Sequence, residues 1–422
     1  MKEYYPRVAD HLLENALKSS GAVLIQGPKW CGKTSTAIRK SKSQLFLQNP
    51  DTRENNLRIA GIKPSLLLKG ETPRLIDEWQ LAPILWDSVR HEVDMRGALG
   101  QFVLTGSSIP VFDEHLSHTG AGRISTIRMR TMSLYESKES TGDISLGKLF
   151  DSPYSVESIA RLSIEQLAHI IVRGGWPVSV ILDNDMALKR VQDYVDAIID
   201  SDISRVDGIE KNPQKVEQLL KSLARNTATS ASMDTIRQDT QEGDAQSISF
   251  PTINTYLSSL QRLFVVEDLH AWNPAIRSKT PLRTAVKRHF TDPSIATALL
   301  DIDQEKLLND FNTFGYLFES LCIRDLRVYA DFLGGRVFHY RDKTELECDA
   351  IVVLRDGRWA AIEIKMGAKE FDEAADNLFR LQERIDTSKM MKPSCKMILS
   401  ATDIGYTRED GIHVVPIGSL KW

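Results

Sequence analysis

Lys33 and Thr34 close the run Gly27-Pro28-Lys29-Trp30-Cys31-Gly32-Lys33-Thr34, which matches the phosphate-binding pattern GxxxxGK[ST] at every fixed position. The chemistry such a pattern serves is the cradling of a polyphosphate. Its glycines let backbone N–H groups curl around the phosphates, and the helix that follows, opening on Lys33, Thr34 and Ser35, adds the favourable end of its dipole. Lys33 is expected at the β- and γ-phosphates of ATP, and the Thr34 hydroxyl on Mg2+. Taken alone, the run also fits an ordinary glycine-rich turn from strand to helix. Cys31 reads as a small buried filler as readily as a thiol open to oxidation.

A second element argues against the ordinary turn. Leu75-Ile76-Asp77-Glu78-Trp79 is an apolar run ending in two acids. Asp77 suits the magnesium and Glu78 suits a general base that polarises the attacking water. A third run, Phe102 to Ser108, ends in hydroxyls. It would place Thr105 or Ser107 between the γ-phosphate and the acids, or simply turn the chain after a buried strand.

The other concentration of chemistry lies near the C-terminus. Asp349 heads the apolar run Ala350 to Leu354, a costly place for an unpaired charge. After a turn at Asp356-Gly357 comes Ala361-Ile362-Glu363-Ile364-Lys365, where strand alternation sends Glu363 and Lys365 to one face and the two isoleucines to the other. Asp349 and Glu363 are candidate Mg2+ ligands, with Lys365 steadying a water beside a phosphate. Glu319 is a candidate third carboxylate, Gln382 a candidate ligand-orienting residue, and His339 reads as structural. The set is similar to that of the PD-(D/E)xK nucleases. The resemblance implies a restriction-endonuclease-like α/β domain and metal-dependent DNA cleavage; a solvated charged hairpin is the plain alternative.

The elements that must position these residues alternate strand and helix over the first 140 positions, with apolar runs at 22–25, 44–47, 74–76 and 102–104, as in a parallel sheet with crossover helices. Ser, Gly, Asp and Pro accumulate over 138–156, a boundary signal. Residues 157–275 read as mostly helical, interrupted by Arg173-Gly174-Gly175-Trp176-Pro177. Within them, 247–272 has a winged-helix pattern: a cap at Ser249 or Thr252, a helix, and a strand over 263–266. Arg262, Arg277, Lys279, Arg283, Lys287 and Arg288 flank it, with Trp272 available for stacking, so DNA phosphate contact is expected there. A helix over 312–329 precedes strands at 336–340, 347–354 and 358–364, then a helix at 370–385 and a strand at 396–400. The domains expected are 1–140, a P-loop domain; 155–285, helical and winged-helix-like; and 286–422, nuclease-like.

Composition sets limits on partners. The 422 residues carry a formal net charge of −4, which argues against a non-specific nucleic-acid coat. The four cysteines form no CxxC pair, so neither zinc nor a disulfide framework is implied. The first 20 residues are too charged for the apolar part of a signal peptide, and no run approaches the roughly 18 apolar residues of a membrane span. A cytoplasmic protein with no membrane partner is the expectation.

Residues 1 to about 137 resemble the AAA-type ATPase domain of a widespread prokaryotic family whose C-terminal half has been described only as a domain of unknown function. The resemblance rests on GPKWCGKT (27–34), LIDEWQ (75–80), LTGSS (104–108) and SHTGAGRISTIRMRTMSLYES (117–137), and continues through RGGWP (173–177). Thr131-Met132 stand where that pattern commonly has a proline. The resemblance implies an arginine finger or sensor at Arg123, against the alternative of a surface arginine, and a finger reaching a neighbouring subunit implies a homo-oligomer. The expectation for the whole chain is a Mg2+-dependent ATPase acting with DNA through its C-terminal half, with nuclease activity as one outcome. The alternative is an ATP-gated switch whose C-terminal half binds a protein or nucleic acid without cutting it. A small-molecule kinase, another user of the P-loop, is disfavoured by the absence of an evident acceptor-binding lid.

Overall fold

The apolar runs of the first 130 residues form one parallel sheet in the computed structural model, which describes residues 4–109, 120–152, 154–241, 248–274, 285–385 and 390–422. Residues 275–284, and with them Arg277, Lys279 and Arg283, lie outside the described residues. The contacts divide the chain into two units. The first comprises 1–131, 201–211 and 257–265; the second comprises 132–200, 212–256 and 266–422.

The elements begin with α1 (Val8–Ser19), β1 (Ala22–Gln26), α2 (Lys33–Lys40), β2 (Ser43–Phe46), α3 (Arg53–Ile62), β3 (Arg74–Asp77), α4 (Ile84–Arg96), β4 (Phe102–Gly106) and β5 (Ile124–Arg128). The strand order β2-β3-β4-β1-β5 is parallel throughout, as the alternation of strand and helix predicts. Both faces are covered, so the strands read as unbroken apolar runs instead of alternating polar and apolar. Alternation divides their side chains between two cores. Leu24, Ile76 and Leu104 join Trp79, Trp86 and Val89, while Val23, Ile25, Leu75 and Val103 join Leu13 and Ala37.

After β5 come β6 (Ile144–Ser145), α5 (Leu146–Asp151), β7 (Glu157–Ile159), α6 (Ile164–Arg173), α7 (Asn184–Ala197), α8 (Ile203–Arg205), α9 (Pro213–Arg225), α10 (Met233–Asp239) and α11 (Phe250–Arg262). The helix starts are written locally. Ser163 and Gln166 form a capping box on α6, and Asn212 caps α9 ahead of a first-turn proline. The strand expected over 263–266 is not one. Leu263 and Val265 belong to the turn that ends α11, where Phe264 takes a left-handed φ of +59°, and β8 (Val266–Leu269) starts only at Val266. It pairs antiparallel with β9 (Lys287–Phe290).

The remaining elements are α12 (Ser294–Leu299), α13 (Gln304–Asn309), α14 (Phe311–Phe332), β10 (Arg336–Arg341), β11 (Glu347–Val353), β12 (Trp359–Lys365), α15 (Phe371–Arg384), β13 (Cys395–Ser400), β14 (Ile404–Thr407), β15 (His413–Pro416) and β16 (Leu420–Lys421). Seven strands form the sheet β10-β11-β12-β13-β15-β14-β7. β10, β11 and β12 pair antiparallel, and β12, β13 and β15 pair parallel. α15 covers one face, placing Leu378 and Leu381 with Trp359, Ile351 and Ile398.

The RGGWP stretch has a structural explanation. Arg324 is fully buried between Asp292 (3.1 Å) and Asp325 (2.8 Å). The Gly175 N–H donates to Asp292 and the Trp176 indole donates to Ser294, while the Leu134 N–H donates to Asp325. Gly175 lies so close to Met132 that a Cβ there would stand 2.3 Å from the Met132 carbonyl oxygen.

Candidate functional site: a phosphate loop and its acidic strand

The loop Gly27–Gly32 leaves the C-terminal end of β1 and delivers Lys33 and Thr34 to the first turn of α2. Its glycines are required by geometry. A Cβ on Gly27 would sit 2.0 Å from the Met129 carbonyl oxygen, and Gly32 has φ +105°. Trp30 is exposed and also left-handed, at φ +66°. The Lys33 ammonium is folded back into the loop, donating to the carbonyls of Gly27 (3.0 Å) and Pro28 (2.7 Å). Ser35 is exposed on the first turn of α2, and Cys31 is buried with its thiol 3.6 Å from the Met129 carbonyl. The filler reading of Cys31 is the one its burial supports.

The strand order explains how the acids reach this loop. β4 lies between β1 and β3, so hydroxyls at the end of β4 face the acids at the end of β3. Thr34 donates to Asp77 Oδ1 at 2.7 Å, and Thr105 donates to the same oxygen at 2.6 Å. Thr105 also accepts from the Glu78 N–H at 3.2 Å. Ser107 donates to Glu78 Oε2 at 2.9 Å, and the Gln80 amide donates to that oxygen as well. Asp77 is wholly buried, and Gln48 approaches its second oxygen at 3.4 Å. Thr105 and Ser107 thus each contact one member of the acidic pair. The Thr34 hydroxyl and the Asp77 carboxylate lie together at the mouth of the loop, so this donor set fits a magnesium ion.

Three supports here were not among the expected site residues. Arg7 donates to the carbonyls of Cys31 (2.8 Å) and Arg130 (2.9 Å), pinning the loop to the segment after β5. Gln80 braces Glu78, and Asp202 pairs with Lys29 at 2.6 Å. Only Gln80, two residues from Glu78, left any local signal.

Arg123 is placed elsewhere. It precedes β5, its carbonyl accepts from the Ala22 N–H at the start of β1, and its guanidinium pairs with Asp94 at 2.9 Å. The loop lies at the other end of β1, about 16 Å away over five strand residues. The structure therefore does not bring Arg123 to the phosphate loop of its own chain, because β5 runs parallel to β1.

In the C-terminal half, the structure does bring together Glu319 from α14, Asp349 from β11, and Glu363 and Lys365 from β12. Lys365 lies 3.2 Å from Asp349 and 2.8 Å from Glu363, and the Ile364 N–H donates to Asp349 at 2.8 Å. A further residue joins them. Lys287 on β9 lies 2.9 Å from Glu319 and 3.7 Å from Asp349. Burial pushes the Glu363 carboxyl up to about 8, with Asp349 beside it adding to the shift against the pull of Lys365. Burial likewise raises Glu319 to about 7 despite Lys287. Burial opposes the Asp349 charge too, but Lys365 and Lys287 outweigh it and hold that carboxyl below its usual range. Both lysines are raised by the carboxylates around them, against the effect of burial.

This arrangement departs from the expected metal site. Among the described residues no three His, Cys, Asp or Glu side chains converge as a group that could hold a metal ion. Lys365 and Lys287 stand among Asp349, Glu363 and Glu319, so as arranged the set presents no open site for a divalent cation. The described members of the expected DNA-contacting set are also engaged within the protein. Trp272 is buried against Trp359, with ring centroids 4.6 Å apart, and so presents no stacking face. Arg288 donates to the Ala231 carbonyl and Arg262 to that of Ile109. His339 bonds the Ala285 carbonyl, and burial depresses it to about 4. Gln382 is partly buried on α15.

Residues 19–138, which hold the loop, the acids and β4, match the AAA domain family. This region is similar to AAA domains. Residues 164–306 and 314–420 match two families each described as a domain of unknown function, DUF8612 and DUF4143. Over 360 residues the chain is 24% identical to an uncharacterized protein of Mycobacterium tuberculosis, Rv2008c, and to one of Mycobacterium bovis, Mb2031c, covering 84% of this chain and 72% of each relative. A solved structure, the Walker-type ATPase PABY2304 of Pyrococcus abyssi, is 15% identical with a TM-score of 0.44, covering 70% of this chain and 96% of that one. Among the described residues no helix is long and apolar enough to cross a membrane.

Proposed function

We propose that the chain is a Mg2+-dependent ATPase whose nucleotide cycle is used by a nuclease-like C-terminal half that engages DNA. The observation that carries the ATPase reading is the Thr34–Asp77–Thr105 contact, which assembles the magnesium-holding pair beside Lys33. Lys33 leaves the Gly27 and Pro28 carbonyls for the β- and γ-phosphates, where its charge is needed. Thr34 and Asp77 would hold a magnesium ion, whose charge would offset that developing on the phosphates. Glu78, steadied by Ser107 and Gln80, orients the attacking water and takes its proton. Arg123 is exposed away from its own loop, which supports a finger role toward a neighbouring subunit over one within its own chain.

For the C-terminal half, the order α14-β10-β11-β12-α15-β13, with Asp349 and Glu363-x-Lys365 on adjacent strands, supports a restriction-endonuclease-like fold. Fold alone does not carry activity. Lys287 favours the reading in which this half binds its partner without cutting, since its ammonium stands among the carboxylates that cleavage would require for a metal. ATP turnover measured with and without duplex DNA, with the DNA then run on a gel, separates the outcomes. Stimulation without cutting supports binding. Cutting that disappears in Asp349→Ala and Lys365→Ala restores the nuclease, and no effect of DNA on turnover removes DNA as the partner.

A further inference from the structure

One ion pair ties the phosphate loop to a distant piece of chain. Lys29, on the outer limb of the loop, contacts Asp202 Oδ1 at 2.6 Å; the lysine side chain is 41% exposed and the aspartate only 6%. A carboxylate so nearly buried is held by its partner, because leaving it unpaired is costly. Asp202 closes the π-helical turn Ile198–Asp202, a backbone form frequent at functional sites.

Asp202 also belongs to a short, firmly held piece of chain. Residues 201–211 lie in the first unit, while Asp200 and Asn212 on either side belong to the second. Within the segment, Lys211 pairs with Asp207 at 2.6 Å and its N–H donates to Ser204 at 3.0 Å. Ser259 donates to Asp207 at 2.9 Å. The segment is therefore anchored to the first unit at its far end by Asp207 and at its near end by Asp202 on the phosphate loop.

The limb that carries Lys29 is held from inside the loop by Lys33 through the Pro28 carbonyl. Lys29 lies between Pro28, whose carbonyl holds Lys33, and left-handed Trp30. A Lys33 ammonium drawn to a phosphate releases the Pro28 carbonyl and so frees the limb carrying Lys29 to readjust. We propose that Asp202 is a positioning residue for the phosphate loop, and that through Lys29 it relays nucleotide binding to residues 201–211. The proposal rests on the ATP-binding reading above and identifies the stretch of chain through which that site reaches the rest of the protein.

The test uses the full chain with a non-hydrolysable ATP analogue and Mg2+. Hydrogen exchange is followed in peptides covering 201–211, and affinity is measured by calorimetry. In the wild type the analogue changes exchange across 201–211. Asp202→Asn, which keeps the side-chain shape, and Lys29→Ala, at the exposed end of the pair, both remove that response. They weaken ATP binding about two- to fivefold, the scale of one ion pair, and raise KM more than they lower kcat. Asp202→Glu retains the response, and the exchanged pair Lys29→Asp with Asp202→Lys restores it. An unchanged exchange response and affinity in both single variants overturns the proposal while leaving the ATPase reading intact. A wild-type chain that binds no ATP overturns both.

Discussion

The Thr34 hydroxyl donates to the Asp77 carboxylate across 2.7 Å, joining the first turn of α2 to the end of β3. These two side chains are 43 residues apart, and they are the two that the phosphate chemistry assigns to one magnesium ion. Their contact depends on the strand order, since β4 separates β1 from β3 and supplies Thr105 as a second donor to the same carboxylate oxygen. Thr34, Asp77 and Thr105 are thus held together at the mouth of the loop.

Glu78 is predicted to act after binding, not in it. Glu78→Gln keeps a side chain able to bond Ser107 but cannot take a proton from water. Its kcat should fall about 10²–10⁴-fold while ATP affinity stays within a few-fold of wild type. Single-turnover hydrolysis alongside calorimetric binding measures both. A loss of affinity as large as the loss of turnover would assign Glu78 to binding.

Lys287 is predicted to hold the C-terminal cluster together. Lys287→Met leaves Glu319 and Asp349 with less compensation in a buried setting, and breaking such a pair costs about 3–5 kcal/mol. Denaturant unfolding should show that loss at pH 8.5 and a smaller one at pH 5.5, where Glu319, raised to about 7, is protonated and has no charge to compensate. Equal losses at the two pH values would contradict the pairing.

Glu363 gives the same cluster a pH dependence with a definite sign. Its folded carboxyl lies near 8, above the ordinary 4.5, so between those values the folded state holds a proton that the unfolded state has released. Folding is then favoured at the low end of that window, and stability falls as pH rises toward 8. Glu363→Gln, neutral at every pH, removes this part of the slope. Melting temperatures taken from pH 5 to 9 should fall more steeply for the wild type than for the variant, and parallel profiles would refute the shift.

Gly175→Ala tests the explanation of RGGWP. The added methyl meets the Met132 carbonyl oxygen at 2.3 Å and the Arg324 guanidinium at 2.8 Å. Overpacking of this kind costs about 1–3 kcal/mol, read as a lowered unfolding midpoint. ATP affinity at the phosphate loop should change far less. A midpoint equal to that of wild type would show that the backbone yields there at no cost.

What the sequence disclosed follows from distance along the chain. The loop, the acid pair and the Glu363-x-Lys365 alternation are local patterns, and the sheet places them as strand and helix periodicity predicts. Residues that act across long separations had no such signal. Asp202 meets Lys29 over 173 positions, and Arg7 meets Arg130 over 123. Lys287 looked like one cation of a basic surface run, yet β9 carries it into the carboxylates of α14 and β11. Trp272 misled for a related reason, since an aromatic near a basic stretch serves core packing as well as base stacking. Arg123 depended on strand direction, which its Gly-Arg motif does not encode.

The central claim, that the loop at 27–34 and the acids at 77–78 form a working ATP site, is tested most directly by Mg2+-dependent release of phosphate from ATP by wild type and Lys33→Ala. The account predicts turnover in the wild type that requires Mg2+ and falls at least about 10²-fold in the variant, as expected when a charge is removed from the transferring phosphate. Turnover that is indifferent to Mg2+, or that survives the loss of Lys33, would contradict it.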